Sequence, residues 1–329
     1  MKLATYLSEG GPRIGAVVQG DTKLLDLHSA HEILTGRPSD HFSSMLALIE
    51  AGPAGLDAAR TVVEKAPGRI ELIALEAVTL MAPVPEPVQM RDGLCFEIHC
   101  VQAFKKAREV RAAQFDDPEA AMRDLEARGV LAVPKEFYDL PVYYKANRFS
   151  VAAPGQDIVW PSYSKVRDYE LEYGVFIGKS GINIPRERAL DHVFGYTIFN
   201  DLSARDAQVL EQSVGLGPAK GKDFKDGNPM GPWIVTADEI GDPYSLEMVV
   251  RVNGEERGRA NSSSMYWRFE DLIARISMDE DLRAGEFIGS GTVGNGSGIE
   301  SMRFLEHEDV VELEVEKIGV LRNRILVRQ

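Results

Sequence analysis

The second half of the chain is a succession of short β-branched and aromatic runs, a pattern that narrows the possible folds more than any other feature. VYYKANRFSVAA, QDIVW, DYELEYGVFIG, VFGYTIFND, PWIVT, LEMVVRVNG, EFIGSGTVG, DVVELEVEKIG and NRILVRQ follow one another with few helical stretches between them. A Rossmann or barrel sheet needs a crossover helix after nearly every strand, and that rhythm is missing. Asn253-Gly254, between two such runs, is a two-residue hairpin signal. The expectation is an α+β chain, mainly β, with antiparallel or mixed pairing. Without an internal repeat or low-complexity segment, solenoids and propellers are excluded.

Residues 2–27 read as a small antiparallel meander, KLATYL, RIGAVV and KLLDL, broken by GGP and QGD. SSMLALIEAG and GLDAARTVVEKA then carry apolar residues at helical spacing. In MAPVPEPVQ, Pro83, Pro85 and Pro87 alternate, which imposes extended backbone and rules out a central strand. This divides the chain into a small N-terminal α+β domain (1–82), a proline-rich linker (83–90) and a larger domain (91–329), whose opening 97–129 is helical before the β-rich remainder.

With 44% hydrophobic and 27% charged residues among 329, the composition is that of a globular chain with a substantial core. The net charge of −14 leaves no basic patch for a phosphate backbone, so no nucleic-acid partner is expected. The same charge means that an anionic substrate would need a local cluster of cations. No apolar run is long enough to cross a bilayer, and the opening MKLATYLSEGGPRIG lacks a signal core, so no membrane and a cytoplasmic location are expected. Cys95 and Cys100 are the only cysteines, too few for a disulfide framework, and read as reduced packing residues.

In DYELEYGVFI the period of two puts Tyr169, Leu171, Tyr173, Val175 and Ile177 on one face and Asp168, Glu170 and Glu172 on the other. Such an acidic face is either solvated at a sheet edge or, if covered, repels itself until something positive sits between the carboxylates. The apolar opposite face, the nearby Gly174 and Gly178, and a further carboxylate, Asp201, at the end of VFGYTIFN favour the covered case. Ligation by carboxylates alone selects a hard cation such as Mg²⁺, Mn²⁺ or Ca²⁺ over zinc.

Together, DYELEYGVFIGK, FNDLSARDAQ, GKDF and GSGTVGNGSGIE resemble, in order and spacing, the fumarylacetoacetate hydrolase family, over roughly residues 90–329. The resemblance implies a mixed β-roll or sandwich around a divalent-metal site, with Mg²⁺ as the expected cofactor and Mn²⁺ or Ca²⁺ as alternatives. It implies Glu170, Glu172 and Asp201 as ligands, with Asp92 as the fourth. It also implies a catalytic pair, His99 with Glu300, and Lys222 as the group that steadies developing negative charge. Arg108, Tyr144, Gln208 and Thr292 match substrate-binding positions. From the residues alone, Lys220 and Lys225 compete with Lys222, Lys105, Lys106 and Arg111 with Arg108, and Tyr143 with Tyr144. A lone histidine on the helix-prone FEIHCVQAF is otherwise a packing residue.

The chain departs from the longer family members at Gln212, where they carry a tyrosine, and from the short acylpyruvases at Gln102, where they carry an acid. The pattern therefore resembles the fumarylacetoacetase-like branch. Arg205 and Asp206 read as a structural ion pair or helix start, and Ser203 lacks the surroundings of a serine nucleophile. The function implied is hydrolysis of a carbon–carbon bond in a small 2,4-dioxo acid, as in aromatic catabolism, by a homodimer. Decarboxylation, isomerisation or dehydration of a 2-keto acid at the same site is the enzymatic alternative, and a non-catalytic Ca²⁺-binding protein the third reading.

Overall fold

The computed structural model describes residues 1–328. Its backbone is a twelve-stranded mixed sheet faced by a five-stranded one, with helices on the flanks. The large sheet runs, in spatial order, from Ile73–Ala74 and Lys23–Asp26 through Gly11–Val18, Lys2–Ser8, Asn228–Thr236 and Val193–Asn200 to Leu171–Ile177. It continues through Phe287–Gly289 and Met90–Gly93 to Tyr143–Ala146, and two further strands lie off this path, Thr79–Leu80 on Lys2–Ser8 and Val151–Ala152 on Asn228–Thr236. Pairing is antiparallel throughout this path except between Phe287–Gly289 and Met90–Gly93, which are parallel. The small sheet contains the hairpin Glu247–Val252 and Glu255–Asn261, turned at Asn253 and Gly254 with φ of 53° and 78°, the left-handed pair that a two-residue hairpin requires.

The alternation in the acidic segment holds in three dimensions. Tyr169, Leu171, Tyr173, Val175 and Ile177 share one hydrophobic core with Val250, Leu313 and Ile325 of the small sheet. Phe176, on the opposite face, joins Phe199 and Phe287 in a second core with Leu3, Phe42, Leu48 and Ile49 of the N-terminal segment. Every residue of Leu171–Ile177 is buried, so this is an interior strand and not a solvated edge. Each large side chain sealed in this way stabilises the fold by about 1.5–3 kcal/mol.

Residues 1–82, expected as a separate small domain, contribute strands to the large sheet: Lys2–Ser8 pairs antiparallel with Asn228–Thr236. Thr5 donates its hydroxyl to the Pro83 carbonyl at 2.6 Å, and Val84 is buried. The proline-rich segment thus straps the sheet, and the second core spans both sides of it. Helices Glu97–Ala112 and Pro118–Ala127 occupy the stretch expected to be helical. The second opens on Asp117, whose carboxylate accepts the Ala120 N–H at 2.9 Å, followed by Pro118 in the first turn. Among the described residues no helix is long and apolar enough to cross a membrane. Cys95 and Cys100 are free and buried.

Candidate active site and metal centre

Three carboxylates from three strands of the large sheet meet at one place. Glu172 lies on Leu171–Ile177, Asp201 follows Val193–Asn200, and Asp92 sits on Met90–Gly93, opposite Gly289. One oxygen from each lies within 4.8 Å of the others. All three side chains are buried, and Glu172 Oε2 and Asp201 Oδ1 have no hydrogen-bond partner. An unpartnered buried oxygen costs about 1–3 kcal/mol, and more when charged, so two beside each other fit a cation. Burial, with Asp201 nearby, pushes the Asp92 carboxyl up to about 8. Burial lifts Asp201 to about 6 even against Lys222, and burial beside Asp92 and Asp201 holds Glu172 well above the usual carboxylate range.

Gly289 forms the wall behind this cluster. A Cβ there would stand 2.3 Å from Asp92 Oδ1 and 3.2 Å from Glu172 Oε2. The Gly291 N–H donates to Asp92 Oδ1 at 3.1 Å, and the Thr292 hydroxyl donates to Glu172 Oε1 at 3.3 Å. The GSGT stretch therefore both makes room for the carboxylates and orients them. Substituting Gly289 by Ala is expected to leave the protein folded, because Asp92 can rotate away, but to misplace a ligand. Affinity for Mn²⁺ should fall about 10–100-fold, as read by titration calorimetry; unchanged affinity would mean that Asp92 is not a ligand.

Glu170, expected as a ligand, is turned to the cations instead. Arg205 Nη2 donates to its Oε1 at 2.6 Å and Lys222 Nζ to its Oε2 at 2.5 Å. Burial alone would raise its pKa, but Arg205 and Lys222 outweigh it and hold the carboxyl far below the usual range. Lys222 Nζ also donates to Asp201 Oδ2 at 2.5 Å and to Ser203 Oγ at 2.7 Å. Burial works against its charge, yet Asp201 and Glu170 keep it protonated well past neutral pH. Lys220 and Lys225 are exposed, so Lys222 is the lysine of this loop at the cluster. Asp92, Asp168, Glu170, Glu172 and Asp201 face two cations, Arg205 and Lys222, leaving negative charge uncompensated for a divalent ion.

His99 projects from the first turn of Glu97–Ala112, and its Nδ1 lies 3.0 Å from Glu300 Oε1. The other Glu300 oxygen accepts the Ser297 N–H at 2.9 Å, and Ser297 bridges Glu170. Asp168 accepts the N–H groups of Gly298 at 2.7 Å and Ile299 at 3.0 Å, and Arg205 Nε at 2.7 Å. The turn that carries Glu300 is thereby fastened to the acidic strand. A carboxylate only accepts, so Nδ1 carries the proton and Nε2 is the free acceptor. Tyr144, opposite Asp92 in the sheet, donates its hydroxyl to Asp201 Oδ2 at 2.8 Å, and Gln208 Oε1 accepts from Arg205 at 3.0 Å. Arg108 is not brought to this cluster: its guanidinium donates to the Leu131 carbonyl at 2.5 Å and lies 4.0 Å from Glu126.

Residues 105–326, well over half of the chain, match the fumarylacetoacetate (FAA) hydrolase C-terminal family. The chain belongs to the fumarylacetoacetate hydrolase family. The mitochondrial oxaloacetate tautomerase of Xenopus laevis is 29% identical over 330 residues, covering 99% of this chain and 90% of that protein. A fumarylacetoacetate hydrolase from Exiguobacterium antarcticum has the same fold, with a TM-score of 0.72 and 26% identity over 100% of both chains. A maleylpyruvate hydrolase from Sphingobium sp. SYK-6, solved with manganese(II) and pyruvate, gives a TM-score of 0.71 at 23% identity, again over 100% of both chains. The last likeness bears on fold alone.

The family match begins beyond Asp92 and His99, so these two stand on geometry. Two participants went unassigned in the sequence. Gly289 is indistinguishable there from other glycines of a Gly-rich turn. Asp168 shows its acidic character but not the two N–H groups that it holds. Arg205, inside SARDAQ, makes the structural ion pair expected of it, bridging Asp168 to Glu170 and donating to Gln208.

Proposed function

We propose that this chain is a divalent-metal-dependent enzyme that hydrolyses a carbon–carbon bond in a small 2,4-dioxo acid. The observation that carries this reading is the His99–Glu300 pair, with Nδ1 fixed at 3.0 Å, on a turn tied to the carboxylate cluster. Asp92, Glu172 and Asp201 would hold the cation, with Glu170, now ion-paired, as the fourth candidate. Their all-oxygen donor set suits Mg²⁺ or Mn²⁺. A bound divalent ion supplies a Lewis acid for the oxo groups of a 2-oxo acid.

The remaining chemistry belongs to the side chains. His99 accepts a proton at Nε2 from water, and Glu300 stabilises the imidazolium that results. The hydroxide so formed adds to one carbonyl carbon, the neighbouring carbon–carbon bond breaks, and its electron pair leaves as an enolate. Lys222 Nζ donates toward the oxygen on which that charge collects. The carbanion carbon then takes back the proton from His99, giving two carboxylic products. Tyr144, Thr292 and Gln208 would orient the substrate around the cluster. The His–Glu pair supports the fumarylacetoacetase-like branch, since Gln102 is occupied with Asn295, to which it donates at 2.7 Å.

The near full-length similarity to an oxaloacetate tautomerase favours one second reading, in which the same groups move a proton between carbon and oxygen without cleavage. The two separate in ¹⁸O-labelled water. Acylpyruvates, fumarylacetoacetate-like diketones and oxaloacetate are each incubated with Mg²⁺ or Mn²⁺. Hydrolysis consumes the enol absorbance, yields two acids and places the label in the newly formed carboxylate. Accelerated keto–enol exchange of oxaloacetate, with every diketone left intact, would overturn the hydrolase reading in favour of the tautomerase.

A further inference from the structure

Beyond the site itself, the loop that delivers Lys222 is held from outside by a single carboxylate. Glu211 lies near the end of the helix Arg205–Gln212. Its Oε2 accepts the N–H of Ala219 at 3.0 Å and of Gly221 at 3.2 Å, and its Oε1 accepts that of Lys220 at 2.8 Å. Those three residues immediately precede Lys222. Burial would raise the Glu211 pKa, but the three N–H donors outweigh it and hold the carboxyl below its usual range. The same loop is pinned twice more. Its Gly221 carbonyl accepts the Ala204 N–H at 2.8 Å, and the Tyr163 hydroxyl donates to the Lys220 carbonyl at 2.7 Å.

Between the two ends of this clasp lies an excursion, residues 212–218, that makes no hydrogen bond to the catalytic groups. Gly215 and Gly217 turn it at φ of 80° and 122°, and Val214 and Leu216 are 81% and 84% exposed. Among the described residues, Glu211 is the one side chain that binds all three backbone N–H groups on the far side of this excursion. The geometry points to Glu211 as a positioning residue: it fixes the 219–221 backbone against the helix that precedes the exposed excursion 212–218, and so aims Nζ at Glu170 and Asp201. This rests on the reading of Lys222 as the group that steadies developing charge, but its structural half is testable without turnover.

The test is lysine acylation by a small anhydride on the full-length protein, with and without Mg²⁺, followed by peptide mass mapping. Lys225, exposed in the same loop, is the internal reference. In the parent, Lys222 should react far more slowly than Lys225. Glu211→Ala should raise Lys222 acylation about tenfold, lower kcat about tenfold with KM little changed, and shift Tm by no more than about 2 °C, as expected for a surface side chain. Glu211→Gln, whose single amide oxygen can still accept the Ala219 and Gly221 N–H groups but not that of Lys220, should restore part of both. If Lys222 in Glu211→Ala stays as unreactive as in the parent, the positioning role is wrong. If acylation rises and kcat does not move, the clasp stands and the part assigned to Lys222 in the reaction falls.

Discussion

Glu172→Gln protein is expected to bind neither Mg²⁺ nor Mn²⁺ measurably in titration calorimetry, and its turnover should equal that of the parent in chelator. Glu172 is fully buried at the middle of the cluster, with one oxygen unpartnered. An amide there keeps the shape, removes a charge, and can turn an N–H₂ donor toward the cation. The loss should exceed the ~100-fold that follows from disturbing an outer-sphere partner. Stability should change in the opposite sense. Because the Asp92 pKa is raised to about 8, the folded chain keeps a proton that the unfolded chain has already released. The corresponding stability is complete at low pH and lost as pH rises through about 8. Metal-free parent should therefore melt lower at pH 8 than at pH 6, added Mn²⁺ should raise Tm more at pH 8, and Glu172→Gln should flatten the slope. A metal-free parent whose Tm does not fall over this interval would show that the carboxylates are not in conflict.

His99→Ala should lower kcat by about 10²–10⁴, the usual worth of a positioned general base, while Mn²⁺ affinity stays at the parent value. Glu300→Gln should lose about tenfold or more, because the amide can still accept from Nδ1 but no longer favours the imidazolium. Loss of enol absorbance under saturating Mg²⁺ measures both variants. Full turnover by His99→Ala on a substrate that the parent cleaves would remove the histidine from the mechanism.

Much of this was legible along the chain because strand period and hairpin chemistry are local. The alternation at 168–177 assigned each side chain to the correct face, and Asn253-Gly254 turned the expected hairpin. What stayed hidden depends on contacts between distant segments. Asp92 reaches Glu172 through the parallel pairing of Met90–Gly93 with Phe287–Gly289, and nothing in either short run declares its partner. Glu170 lies on the expected acidic face, but its orientation is decided by Arg205 and Lys222, which arrive on separate loops. Arg108 shows the converse problem: spacing along a helix fixes the turn on which a residue lies, and here the following helix and the Leu131 carbonyl capture its guanidinium. The N-terminal meander was visible as strands, whereas its addition to the edge of Asn228–Thr236 was not, since an edge recruits by unpaired backbone rather than by side-chain pattern.

The position of Phe287–Gly289, wedged between Met90–Gly93 and Leu171–Ile177, also sets a timetable for a chain emerging from the ribosome. Until that short strand has been synthesised, the strand bearing Asp92 has no route to its place beside Glu172. Completing the sheet and bringing Asp92 to Glu172 and Asp201 are therefore one event.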